Sequence, residues 1–148
     1  MDRRNLARSL ARELAGPALI LVAALAMMAP QTLGGRSIVP FDALLGDPVF
    51  RESLKDAGVG STRNGLVADL VFQNLAWKQF GVEQLEAGQA PLWNPYLAGG
   101  LPFLAAGQHS LLYPLTLPLL GLLPPERALG WLAALNLWLA GLGLYGLG

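Results

Sequence analysis

The final 21 residues, Ala128 to Gly148, hold tryptophan, leucine, alanine and glycine but not one formally charged side chain. A helix of about 20 apolar residues is what crosses the ~30 Å hydrocarbon core of a bilayer, because it pairs its own backbone polar groups. The run is therefore expected to span a membrane. A second apolar stretch, LAGPALILVAALAMMA from Leu14 to Ala29, lies near the other end. As a helix it reaches about 24 Å, a little short of a span. Arginine side chains reaching toward headgroups, and a few helical residues before Leu14, would close that gap. Hydrophobic residues make up 53% of the chain and charged residues only 14%. Nearly all the charge lies outside the two runs, which is the layout of spans around a polar loop.

Orientation follows from the flanks. Arg3, Arg4, Arg8 and Arg12 precede the first run, and basic flanks stay cytoplasmic. The sequence thus predicts a cytoplasmic tail over 1–13, a transmembrane helix over 14–30, an extracytoplasmic loop over 31–127 and a second transmembrane helix over 128–148. A cleaved signal peptide is the rival reading, since Ala24-Leu25-Ala26 fits a cleavage site. The return of apolar segments downstream favours an anchor. The second run reaches Gly148 with no polar flank, so further helices are expected beyond it. Ten basic residues balance ten acidic ones, and nothing argues for nucleic acid. Cysteine is absent, which excludes disulfides and thiolate metal sites.

Within the loop, residues 31–63 hold prolines, glycines and mixed charge without sustained period, and read as irregular. Asn64 to Ala87 is rich in helix formers, with Gly88 placed to end the helix. On a 3.6-residue period Val67, Val71, Leu75, Val82 and Leu85 share one side, whereas Asp69, Gln73, Trp77 and Phe80 share another. Two apolar sides predict an interfacial helix over 64–87. Gln89 to Pro114 has too much proline and glycine for one helix. Leu111 to Leu123, broken by Pro114 and Pro118, is expected to be re-entrant or interfacial. The expected fold class is mostly α: a fragment of a polytopic helical membrane protein, with two transmembrane helices and interfacial helices in a long extracytoplasmic loop.

Ala68-Asp69-Leu70 with Gln73, Leu85-Glu86-Ala87-Gly88, and then PLWNPYLAGGLPFLAAGQ with Tyr113-Pro114, together resemble the YfhO-like bacterial membrane proteins. That family is similar to the GT-C glycosyltransferases, polytopic enzymes that take a sugar from a polyprenyl-phosphate carrier outside the cytoplasmic membrane. The resemblance covers Asp69 to Gly148. Its distinctive block is Pro91-Leu92-Trp93-Asn94-Pro95-Tyr96 with Gly99-Gly100 and Pro102-Phe103. The chain departs from the family at Ala76 and Lys78, where proline and arginine are common, and at Asn136, where histidine is expected.

The resemblance implies a membrane glycosyltransferase of the bacterial cytoplasmic membrane, with a lipid-linked sugar donor and a cell-envelope acceptor as partners. Asp69 matches the acidic residue of the first extracytoplasmic loop and is the expected catalytic group, taking the acceptor proton as the new bond forms. Gln73, Asn94, Tyr96, Lys78 and Gln108 are the candidate substrate-binding residues. Amides and aromatic faces suit sugar hydroxyls and C–H faces, and Lys78 and Arg63 are cations that could neutralise a leaving phosphate. The bland readings are a solvated helix residue for Asp69 and Gln73, an interface belt for Trp93 and Tyr96, solvated charge for Lys78, and a packing or surface role for His109. No cofactor is indicated; a divalent cation held by His109 and acidic loop residues is the weaker option. No phosphate-binding glycine loop, dinucleotide fingerprint or hydrolase elbow is present. The alternative function is a non-catalytic membrane component of envelope polysaccharide or lipid assembly or transport.

Overall fold

The computed structural model describes the backbone of residues 3–147 and the side chains of residues 13–147. Arg3, Arg4, Arg8 and Arg12, on which the orientation rests, lie outside the described side chains. The chain is mostly α, with 64% helix and 3% strand, as its periodicity predicts. It divides into two compact units, one formed by residues up to Arg36 with Leu129 onward, the other by Ser37–Ala128.

The first unit pairs two apolar helices. Helix α1 runs from Arg3 to Met27, and a short α2 (Ala29–Thr32) follows it. Its partner is the body of α7, the chain's last helix (Pro125–Tyr145). The pairing is antiparallel: Gly16 meets the Tyr145 ring, Gly141 meets Ile20, and Gly130 meets the Gln31 backbone. Glycines at these positions let the backbones approach closely, as in helix pairs without large interface side chains. A hydrogen bond crosses the pair, from Trp138 Nε1 to the Pro17 carbonyl at 3.2 Å. Among the described residues α7 alone is long and apolar enough to cross a membrane, whereas the apolar part of α1, Glu13–Met27, is shorter. Two spans are thus not established by length and composition.

The second unit holds the candidate site. It begins with a 3-10 turn, Phe41–Gly46, and helix α3, Pro48–Asp56. This corrects the expectation of an irregular 31–63 segment. Asp47 Oδ1 accepts the Val49 N–H at 2.8 Å, and Pro48 occupies the first helical turn, where its missing N–H costs nothing. The expected 64–87 helix is three pieces: a 3-10 turn Gly65–Val67, a π-helical turn Leu70–Leu75 and helix α4, Ala76–Glu86. The wider π turn takes the earlier residues out of α4's register. Val71, Leu75, Lys78, Phe80 and Gly81 are buried, while Val67 and Leu85 of the expected apolar side are exposed.

Gly88 ends α4 as expected. With φ +71°, it lets its own N–H reach Leu85 O at 3.0 Å and the Gln89 N–H reach Gln84 O at 2.8 Å. These two bonds satisfy the last-turn carbonyls in a Schellman arrangement. The proline- and glycine-rich block then forms a two-residue-per-strand antiparallel hairpin, β1 (Trp93–Asn94) with β2 (Leu101–Pro102), pairing Trp93 with Pro102 and Asn94 with Leu101. Helix α5 (Phe103–Ala106) follows directly. Leu111 to Leu123 contributes only a seven-residue helix, α6, Thr116–Leu122. The unit's core gathers Phe80, Phe103, Leu111, Leu120 and Ala128.

Candidate functional site

Asp69 immediately precedes the π turn, in helical conformation, and its carboxylate makes no capping bond. It is exposed, as is Gln73 within the turn. A single π turn widens the helix locally and is often found where a side chain is re-aimed. Along it Asp69 and Gln73 are exposed, whereas Val71 and Leu75 are buried.

Beside this segment lies an open cleft of about 760 Å³. Val67 and Leu70, on either side of Asp69, form part of its wall, and Asp42, Ser61, Arg63 and Asn64 supply its polar rim. The rim is pinned by Asp42: its Oδ2 accepts the Arg63 N–H at 2.7 Å and its carbonyl accepts the Thr62 hydroxyl at 2.9 Å. The exposed Arg63 side chain therefore projects from a fixed backbone. Asp69 itself does not line the cleft.

Lys78 is buried, with 1% of its surface exposed, which corrects the expectation of a solvated charge. Its Nζ donates to His109 O at 3.1 Å and to Ser110 Oγ at 3.3 Å. Burial in apolar surroundings lowers its pKa from the ordinary lysine value, because the charged form loses water. Lys78 lines neither cavity of this unit described here. Its ammonium ties α4 to the bend after α5. His109 is a packing residue. Its ring stacks on Phe103, centroids 4.2 Å apart, and its Nδ1 accepts the Leu111 N–H at 2.9 Å. A backbone N–H can only donate, so Nδ1 is unprotonated and Nε2 carries the proton toward Leu104 O at 3.4 Å. Among the described residues no three histidine, cysteine or acidic side chains gather as a metal site.

Asn94 is buried, and its Oδ1 accepts the Tyr96 N–H at 2.9 Å, the Asx turn that bends the chain through Pro95. Tyr96 leaves 80% of its surface exposed. Both line a second pocket of about 220 Å³ against α4. Gln108 is exposed in the turn after α5 and lines neither cavity. The structure thus brings Asn94 and Tyr96 together, places Asp69 with Gln73 on another surface, and assigns Lys78 to the interior.

Glu83, Gln79 and Trp77, which also line the second pocket, were not singled out as binding residues by sequence. The signal was present. Phe72, Ala76, Gln79, Phe80 and Glu83 recur at helical spacing, a stripe mixing rings, an amide and a carboxylate. No known family model matches the chain, nor does any curated protein or solved structure.

Proposed function

We propose that this chain is the amino-terminal part of a YfhO-like, GT-C-related membrane glycosyltransferase, moving a sugar from a polyprenyl-phosphate donor to a cell-envelope acceptor. In this reading α1 and α7 are its first two spans. Their outward surfaces support it: Leu19, Val22, Met27 and Leu144 are each more than half exposed, and only 22% of the most apolar window of α7 is buried. A core helix of a water-soluble domain would be mostly covered, and lipid is the solvent that suits such a surface.

The observation that carries the catalytic reading is the cleft walled by the residues flanking Asp69, with Arg63 on its rim. The Asp69 carboxylate takes the acceptor hydroxyl proton while that oxygen bonds to the anomeric carbon. The bond from that carbon to the donor phosphate breaks, and the phosphate leaves as an anion that Arg63 neutralises. One carboxylate suffices because phosphate departs unprotonated.

The non-catalytic alternative is favoured by one fact, that Asp69 is exposed and outside the cleft lining. Transfer of labelled sugar from a polyprenyl-phosphate donor in membranes containing the full-length protein separates the two readings. The Asp69→Asn variant, at equal membrane level, should lose about 100-fold or more of the rate, the contribution of a general base. Transfer at near wild-type rate would remove Asp69 from the chemistry.

A further inference from the structure

The pocket between α4 and the hairpin turn has a chemistry of its own. Its volume of about 220 Å³ is below the ~300–1,000 Å³ of sites for drug-sized ligands, so it suits one ring and not an extended chain. Its lining combines the aromatic residues Trp77, Phe80 and Tyr96 with the polar residues Gln79, Glu83 and Asn94. Phe80 is held edge-on to Tyr96, with centroids 6.1 Å apart and planes at 82°, and is itself braced by Phe103 at 4.9 Å. The Asx turn of Asn94 fixes the backbone that carries Tyr96. The Tyr96 ring is therefore a presented face on a held backbone.

No lysine or arginine lines this pocket, and the Glu83 carboxylate would repel a phosphate or carboxylate ligand. A metal ion would find one carboxylate only. A quaternary ammonium would satisfy the rings and Glu83 but leave the exposed Gln79 amide without hydrogen-bonding use. A ligand with C–H faces and a rim of hydroxyls suits them better: C–H faces lie on the aromatic rings, the Glu83 carboxylate accepts from hydroxyls, and the Gln79 amide both accepts from and donates to them.

We propose that this pocket binds a single pyranose ring, stacked on Tyr96 and Trp77 and hydrogen-bonded by Glu83 and Gln79. Its ligand class rests on the pocket alone; its use in sugar transfer rests on the function proposed above.

The test is a titration of the chain, held in phosphatidylglycerol nanodiscs, with the methyl glycosides of glucose, galactose, mannose and N-acetylglucosamine. Binding is followed by saturation-transfer NMR, with tetramethylammonium and inorganic phosphate as comparison probes. At least one glycoside should bind saturably in the millimolar range, and Glu83→Gln and Tyr96→Ala should each weaken it about tenfold. Circular dichroism checks that both variants keep the helical content of the wild type. The proposal is overturned if no glycoside binds, if tetramethylammonium binds and the glycosides do not, or if binding ignores both substitutions in folded protein. Glycoside binding by the chain, with no transfer by the full-length protein, keeps the pocket and removes the catalytic reading. Asp69-dependent transfer without glycoside binding removes the pocket alone.

Discussion

Lys78 lies in the interior without a carboxylate partner among the described residues, and holds two segments together through His109 O and Ser110 Oγ. Because burial lowers its pKa from 10.5, the unfolded chain binds the proton more strongly than the folded one between that lowered value and 10.5. Stability should therefore rise with pH across this window as far as Lys78 is concerned. Thermal unfolding of wild type and Lys78→Met over the alkaline range should show that rise in the wild type and its loss in the variant. Equal slopes would mean that Lys78 keeps its charge at no cost. A lysine amid strong helix formers reads as solvent-facing, yet Lys78 stands three residues after Leu75 and seven after Val71, on the apolar side of the helical period, and it is buried with them. Asn94 was more legible: asparagine before proline favours a turn, and its Oδ1 makes one. Asn94→Ala should lower stability by about 1 kcal/mol, the usual value of such a bond, measured by denaturant unfolding.

At the scale of elements, the end of α4 was written plainly in the sequence and its beginning was not. Gly88 supplies the left-handed residue a Schellman ending needs, and Gly88→Ala should cost about 1 kcal/mol, read as a lowered unfolding midpoint. The π turn has no comparable signature in residue type. Helix α3 was legible in principle, from Asp47 and Pro48 as cap and first turn, but the neighbouring glycines and prolines masked its short period. The hairpin escaped for a related reason: Pro95, Gly99 and Gly100 look like loop, yet Gly100 is what allows it. Its φ is +111°, and a β-carbon there would lie 2.7 Å from the Trp93 ring. Gly100→Ala should cost on the order of 1–3 kcal/mol through strain and displaced indole, visible as altered Trp93 emission in a variant whose other tryptophans are replaced by phenylalanine. In the helix pair, Gly141→Leu would push Ile20 aside, and should separate α1 from α7 with loss of a disulfide engineered between them.

For the whole molecule, the two apolar runs at the chain's ends were visible in composition alone, and the structure pairs them antiparallel within one unit. The mixed segment between them forms a separate unit carrying every candidate site residue. The pairing of Asn94 with Glu83 and Trp77 around one pocket was not legible, because it joins a helix stripe to a distant turn, and a single sequence does not announce such contacts. The central proposal is that the apolar helices hold the Ser37–Ala128 unit on the outer face of a cytoplasmic membrane. The chain has no cysteine, so single cysteines report without background. In intact cells or spheroplasts, cysteines placed at Ser61 and Gln89 should react with an impermeant thiol reagent, while one at Ser9 should react only after permeabilisation. Labelling at Ser61 and Gln89 only after permeabilisation would contradict the account, and so would release of the unit as a free soluble protein lacking α1.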